Sequence, residues 1–90
     1  MRMPQPVITR EKLDIFRRYD GDVDGWALRR DPQEHAVMSD GDWSVIEDLR
    51  HRLWLERHET VSDDFIAETR RLISESVPDE NALRALHTLI

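Results

Sequence analysis

The sequence predicts an all-α fold: a compact bundle of four main helices and one short helix, over 10–19, 22–30, 40–58, 63–76 and 80–90. Three observations predict it. Apolar residues recur at three- and four-residue spacing through these stretches, helix-start signals open four of them, and nothing alternates with the two-residue period of a strand. A hydrophobic share of 39% is enough to fold a chain in which 36% of residues are charged, because disorder belongs to chains with too little apolar surface to bury. Ninety residues make one core, so residues 1–8 read as a flexible tail and 9–90 as a single domain. There is no cysteine, and packing rather than disulfides or thiolate metal sites must hold that core.

The elements follow in order. Thr9 is placed as an N-cap, with Ile8 before it and Leu13 after it as a hydrophobic staple. Leu13, Ile15, Phe16 and Tyr19 then recur at helical spacing, and the pattern stops at Asp20-Gly21, where glycine can end a helix. Residues 22–30 read as a short helix that buries Trp26 and is stopped by Asp31-Pro32. Ser39 opens the longest helix, with Met38 and Trp43 as staple and Asp42 completing something close to a capping box. At 100° per residue, Trp43, Ile46, Leu49, Leu53 and Trp54 share an arc of roughly 140° that faces the core. Arg50 and Arg57 fall inside that arc. Their stems either cover tryptophan edges or form, with the indoles, a contact patch for a partner. Ser62, between Val61 and Ile66, opens the fourth main segment, where Asp63-Asp64 suit the helix dipole. Phe65, Ile66, Thr69, Leu72 and Ile73 face inward there, with Arg70 and Arg71 outward. Asp79, after Pro78, caps the last helix, whose stripe Leu83, Leu86, Leu89 and Ile90 also offers a homodimer surface.

Charge bears on function. The formal net charge is −6, and between Asp20 and Asp48 nine acidic residues face only Arg29 and Arg30, so the rest of the chain is close to neutral. Such a face repels nucleic-acid phosphates and attracts a basic protein or a cation. The most specific local pattern is Asp20-Gly21-Asp22-Val23-Asp24-Gly25 with Asp31 in the twelfth place. It resembles the calcium loop of the EF-hand family over about 12 residues. The resemblance implies that Asp20, Asp22, Asp24 and Asp31 ligate calcium through carboxylates and Trp26 through its backbone carbonyl. Asp31 is shorter than the glutamate usual in that family, and Pro32 leaves no room for a full exit helix before Ser39. The same aspartates also suit a turn that caps a short helix.

Other chemistry has less behind it. His51 and Glu47 are one turn apart, but two ligands do not make a zinc site, and His58 lies roughly 10 Å further along the axis. His35 and His87 stand apart in sequence. Ser39 and Ser62 are taken as caps, none of the serines is glycine-flanked, and three glycines form no phosphate-cradling loop. The leading expectation is therefore a non-enzymatic, cofactor-free interaction domain. It presents Asp22, Asp24, Asp40 and Asp42, with Trp26 and Trp43 as anchors, to a basic protein partner, and not to nucleic acid or a membrane. In size and charge the chain is similar to small acidic bacterial proteins that serve as adaptors or as immunity or antitoxin binders. A calcium module at 20–31 is the alternative. The N-terminus lacks the apolar stretch of a signal peptide, so a cytoplasmic location is expected.

Overall fold

A computed structural model describes residues 6–29 and 31–90. These form six helices and, among the described residues, no strand: α1 (Arg10–Arg18), α2 (Val23–Arg29), α3 (Pro32–Val37), α4 (Asp40–His58), α5 (Asp63–Ser76) and α6 (Glu80–His87). The fold class is the expected one. Arg30, taken as the end of the second helix, and residues 1–5 of the expected tail lie outside the described residues.

Side chains open these helices by satisfying amides that the first turn leaves without partners. Thr9 Oγ1 accepts from the Lys12 N–H, Ser62 Oγ from the Phe65 N–H, and Asp79 Oδ1 from the Ala82 N–H. At Ser39 the box is complete: Ser39 Oγ accepts from the Asp42 N–H at 3.1 Å, and Asp42 Oδ2 accepts from the Ser39 N–H at 3.0 Å. The other end of a helix is closed by the chain itself. Ile8, fully buried, donates its N–H to the Ser76 carbonyl at 2.8 Å, so the segment before α1 is pinned to the last turn of α5.

Two local expectations need correction. Gly21 does not end α1 alone. Asp20 takes the left-handed position at φ 48, Gly21 follows at φ 75, and their amides reach back to the Arg17 and Phe16 carbonyls in the crossed pattern of a Schellman turn. Asp31-Pro32 does not simply stop a helix either; it starts α3. Asp31 Oδ1 accepts from the Gln33 N–H at 2.9 Å, and Pro32 occupies the first turn, where its missing N–H costs nothing.

The core is assembled from the predicted stripes. Leu13, Ile15 and Phe16 of α1, Trp26 of α2, Trp43, Ile46, Leu49 and Leu53 of α4, and Ala82 and Leu86 of α6 are buried, joined by Ile8 and Met38. In this arrangement α1 packs on α6, α4 and α3, while α4 also packs on α5 and α6. The Leu83–Ile90 stripe is thus used within the chain: Leu86 is fully buried, and Leu83, Leu89 and Ile90 are half-buried.

Outside this core, α5 lies along α4 as a thinner layer. Of its five predicted inward residues only Thr69 is fully buried; Phe65, Ile66, Leu72 and Ile73 are half-buried. Trp54, placed by its periodicity in the core-facing arc, is 44% exposed. It sits at the margin of the arc, and helical phase fixes which way a residue points without fixing what covers it. Arg70 ties the two helices at the surface through Glu56 at 3.2 Å. Among the described residues no helix is long and apolar enough to cross a membrane.

Asp42 couples the start of α4 to α1. Its carboxylate lies 3.0 Å from Lys12 Nζ and is 11% exposed. Burial pushes its pKa up, but the Ser39 N–H and the Lys12 ammonium outweigh burial and hold it below the ordinary carboxylate value. A depressed folded pKa contributes stability that is present above the unfolded-state value, about 4, and lost as the pH falls through the folded value. Asp42→Ala is therefore expected to lower stability by about 1.5 kcal/mol at neutral pH, with a smaller deficit below pH ~3. Urea unfolding at the two pH values checks this.

Candidate functional site

Under the acidic segment lies a stack of rings. Trp43 packs on Phe16 with centroids 4.5 Å apart, Trp26 stacks on Trp43 at 4.8 Å, and His35 stacks on Trp26 at 4.4 Å. The stack runs from the core to the surface, because Phe16, Trp43 and Trp26 are buried while His35 is exposed. Trp26 and Trp43, taken as partner anchors, are 1% and 2% exposed. They are core residues and present no ring face to a partner; α2 carries the first beneath the surface, and the staple with Met38 holds the second.

Above the stack is an open cleft of about 360 Å³, lined by Ala27, Pro32, His35 and Asp40. Three helices meet here. The remaining predicted partner residues separate into two kinds. Asp22, Asp24 and Asp40 are exposed, and among the described residues none of them forms an ion pair. Asp42 is buried in its capping box and paired with Lys12, so it belongs to the scaffold and not to the face. The contrast with α5 is clear: there Glu68 and Glu75 both pair with Arg71.

The sequence reading missed the polar clasp that frames this face. Glu34, on α3, has a side chain only 7% exposed, and its Oε2 accepts from the Tyr19 hydroxyl at 2.5 Å. Arg18 and Arg29 reach the same carboxylate at 3.4 and 3.8 Å, and Arg29 also donates to the Tyr19 oxygen at 2.9 Å. One carboxylate thereby joins α1, α2 and α3. The available signal was the start pattern Asp31-Pro32-Gln33-Glu34, which marks α3 and places Glu34 in its first turn.

Tyr19 is the single tyrosine, so the clasp can be read directly. Burial, and then the hydrogen bond to Glu34, push its pKa above the ordinary 10.0, against a downward pull from Arg29. A raised folded pKa gives stability that is complete below the unfolded-state value and lost as the pH rises past about 10. The absorbance titration of phenolate is expected to show a midpoint above that of free tyrosine. Glu34→Gln should bring it down, since Arg29 then acts unopposed by a carboxylate. An unchanged midpoint would mean that Glu34 does not hold the hydroxyl.

The structure does not gather the calcium-loop aspartates at one point. An EF-hand loop needs oxygen ligands converging from its first, third, fifth and twelfth places. Here Asp20 and Gly21 close α1, Asp22 Oδ1 accepts from the Gly25 N–H at 3.1 Å, Asp24 is in the first turn of α2, and Asp31 caps α3. With 23–29 helical, Asp20, Asp22, Asp24 and Asp31 serve three helix ends and do not form one site. Among the described residues no three histidine, aspartate or glutamate side chains are grouped to hold a metal.

The chain matches no protein-family model, no curated protein and no solved structure in comparisons with each.

Proposed function

We propose that the protein is a non-enzymatic, cytoplasmic interaction module that binds a basic segment of a protein partner at the cleft over the His35–Trp26 stack. One observation carries the reading: Asp22, Asp24 and Asp40 remain exposed and without ion pairs among the described residues, and Asp40 lines the cleft together with Ala27 of α2, the helix that carries Asp24. An arginine or lysine stem laid on Ala27, Pro32 and the His35 ring would place its head at the Asp40 carboxylate, and the neighbouring aspartates would steer its approach. Several other carboxylates are engaged, Asp31 and Asp79 in caps, Asp42 with Lys12 and Glu34 in the clasp, which suits a rigid binding surface better than acid–base chemistry. An adaptor, or a protein that neutralises a basic toxin, has this character.

The test uses the partner recovered by affinity capture and a salt series on the purified pair. Dissociation constants should rise at least tenfold between low and ~0.3 M salt. Reversal of all three charges by Asp22→Lys, Asp24→Lys and Asp40→Lys should abolish binding while helicity is retained. Binding that is indifferent to salt, or that survives the reversals, would overturn the proposal.

A further inference from the structure

A second cleft, of about 290 Å³, lies between α4 and the last turn of the chain. Arg50, His51, Trp54, Leu89 and Ile90 line it. Arg50 and Trp54 are one turn apart on α4 and so lie side by side, and Trp54 is in turn packed on His58, with ring centroids 4.5 Å apart.

The Arg50 guanidinium is held but unspent. Its central carbon lies 5.3 Å from the centre of the Phe16 ring. Gly21, at φ 75, brings the backbone so close that a Cβ there would sit 3.0 Å from Nη2. Packing thus restrains the group from two sides. Among the described residues, however, it forms no ion pair and donates no hydrogen bond, although Arg52, next but one on the same helix, does both. A guanidinium has five N–H donors in a planar fork that matches a carboxylate. One fixed by packing and free of protein acceptors has the ordering cost of an anion site already met.

The walls restrict what the anion is attached to. Trp54, a residue 44% exposed, supplies aromatic surface and Leu89 and Ile90 supply aliphatic surface, so the ligand's body is apolar. No acidic side chain lines this cleft, but Asp20 and Glu47 line the adjoining hollows that share Arg50. On a chain of net charge −6, that favours one negative charge over the nearly two of a phosphate monoester. The volume is at the small end for ligand sites. We infer that this cleft binds a carboxylate carried on a small apolar body, with Arg50 clamping the carboxylate and Trp54, Leu89 and Ile90 enclosing the body.

Titration of the isotope-labelled protein with phenylacetate, followed through the Trp54 indole N–H and the Leu89 amide, tests the inference at constant ionic strength. A saturable shift at both reporters is expected, with phenylacetamide, the neutral isostere, binding at least tenfold more weakly. Arg50→Gln should weaken phenylacetate at least tenfold and erase the acid-over-amide preference, whereas Arg57→Gln, at an exposed site on α4, should leave both unchanged. The acid and amide are compared on the native chain, so the result stands even if Arg50→Gln does not fold. A parallel titration with acetyl-Ala-Ala-Phe separates sources: tighter phenylacetate assigns the site to a free acid, and a tighter peptide assigns the same carboxylate clamp to a chain end. Equal binding of acid and amide, shifts that map elsewhere, or an Arg50→Gln variant that binds like the native chain would overturn it.

Discussion

Trp43→Ala is expected to cost about 4 kcal/mol, the range for emptying a large aromatic from a closed core. Trp43 is 2% exposed and is the ring on which Phe16, Trp26 and Tyr19 converge, at centroid distances of 4.5, 4.8 and 6.4 Å. Its removal takes away the ring on which both Trp26 and Phe16 pack and leaves a cavity in the core. A domain of this size has roughly 5–13 kcal/mol of stability in total, so the variant should unfold at a urea concentration about 2 M lower, or not fold cooperatively at all. Trp43→Phe keeps a ring in the stack and should recover much of the loss. An unmoved midpoint for Trp43→Ala would show that the stack is not the centre of the core.

The second large effect is on α6. Leu86 is fully buried on α6, the helix that packs on both α1 and α4. Leu86→Ala should cost about 3 kcal/mol, which for a domain of this length lowers the thermal midpoint by roughly 12–20 °C. Leu83→Ala, at a half-buried position on the same helix, should cost less than half as much. Calorimetry on the two variants separates a helix integral to the core from one resting on its surface. Equal small shifts would assign α6 to the surface.

Much of this fold is legible residue by residue. The caps at Thr9, Ser39, Ser62 and Asp79 are local, because a side-chain oxygen three residues from an unpaired amide needs no distant partner to be useful. The buried faces of α1 and of the first two-thirds of α4 follow equally from spacing. Less legible is α3, since Asp31-Pro32 serves as a stop and as a start with equal economy, and only the chain's return toward α1 selects the start. Glu34 was hidden for the same reason: its partners, Tyr19, Arg18 and Arg29, are all on other helices.

The candidate face was legible as charge and not as geometry. Nine acidic residues between Asp20 and Asp48 are a property of composition, but whether each points outward depends on what folds against it. Packing took Asp42 into a buried pair with Lys12 and took Trp26 and Trp43 into the ring stack, leaving Asp22, Asp24 and Asp40 outside. The aspartates that matched a calcium loop in spacing were likewise distributed among helix ends, Asp22 and Asp31 accepting from the Gly25 and Gln33 amides, Asp20 closing α1 through its backbone and Asp24 standing in the first turn of α2.

By itself, then, the sequence determined the helical class, the starts of the helices and the stripes they bury, all of which rest on interactions within a turn or two of chain. Only the tertiary structure decided which polar and aromatic residues those stripes enclose. That choice depends on contacts between residues far apart in sequence: Ile8 with Ser76, Lys12 with Asp42 and Arg50 with Phe16.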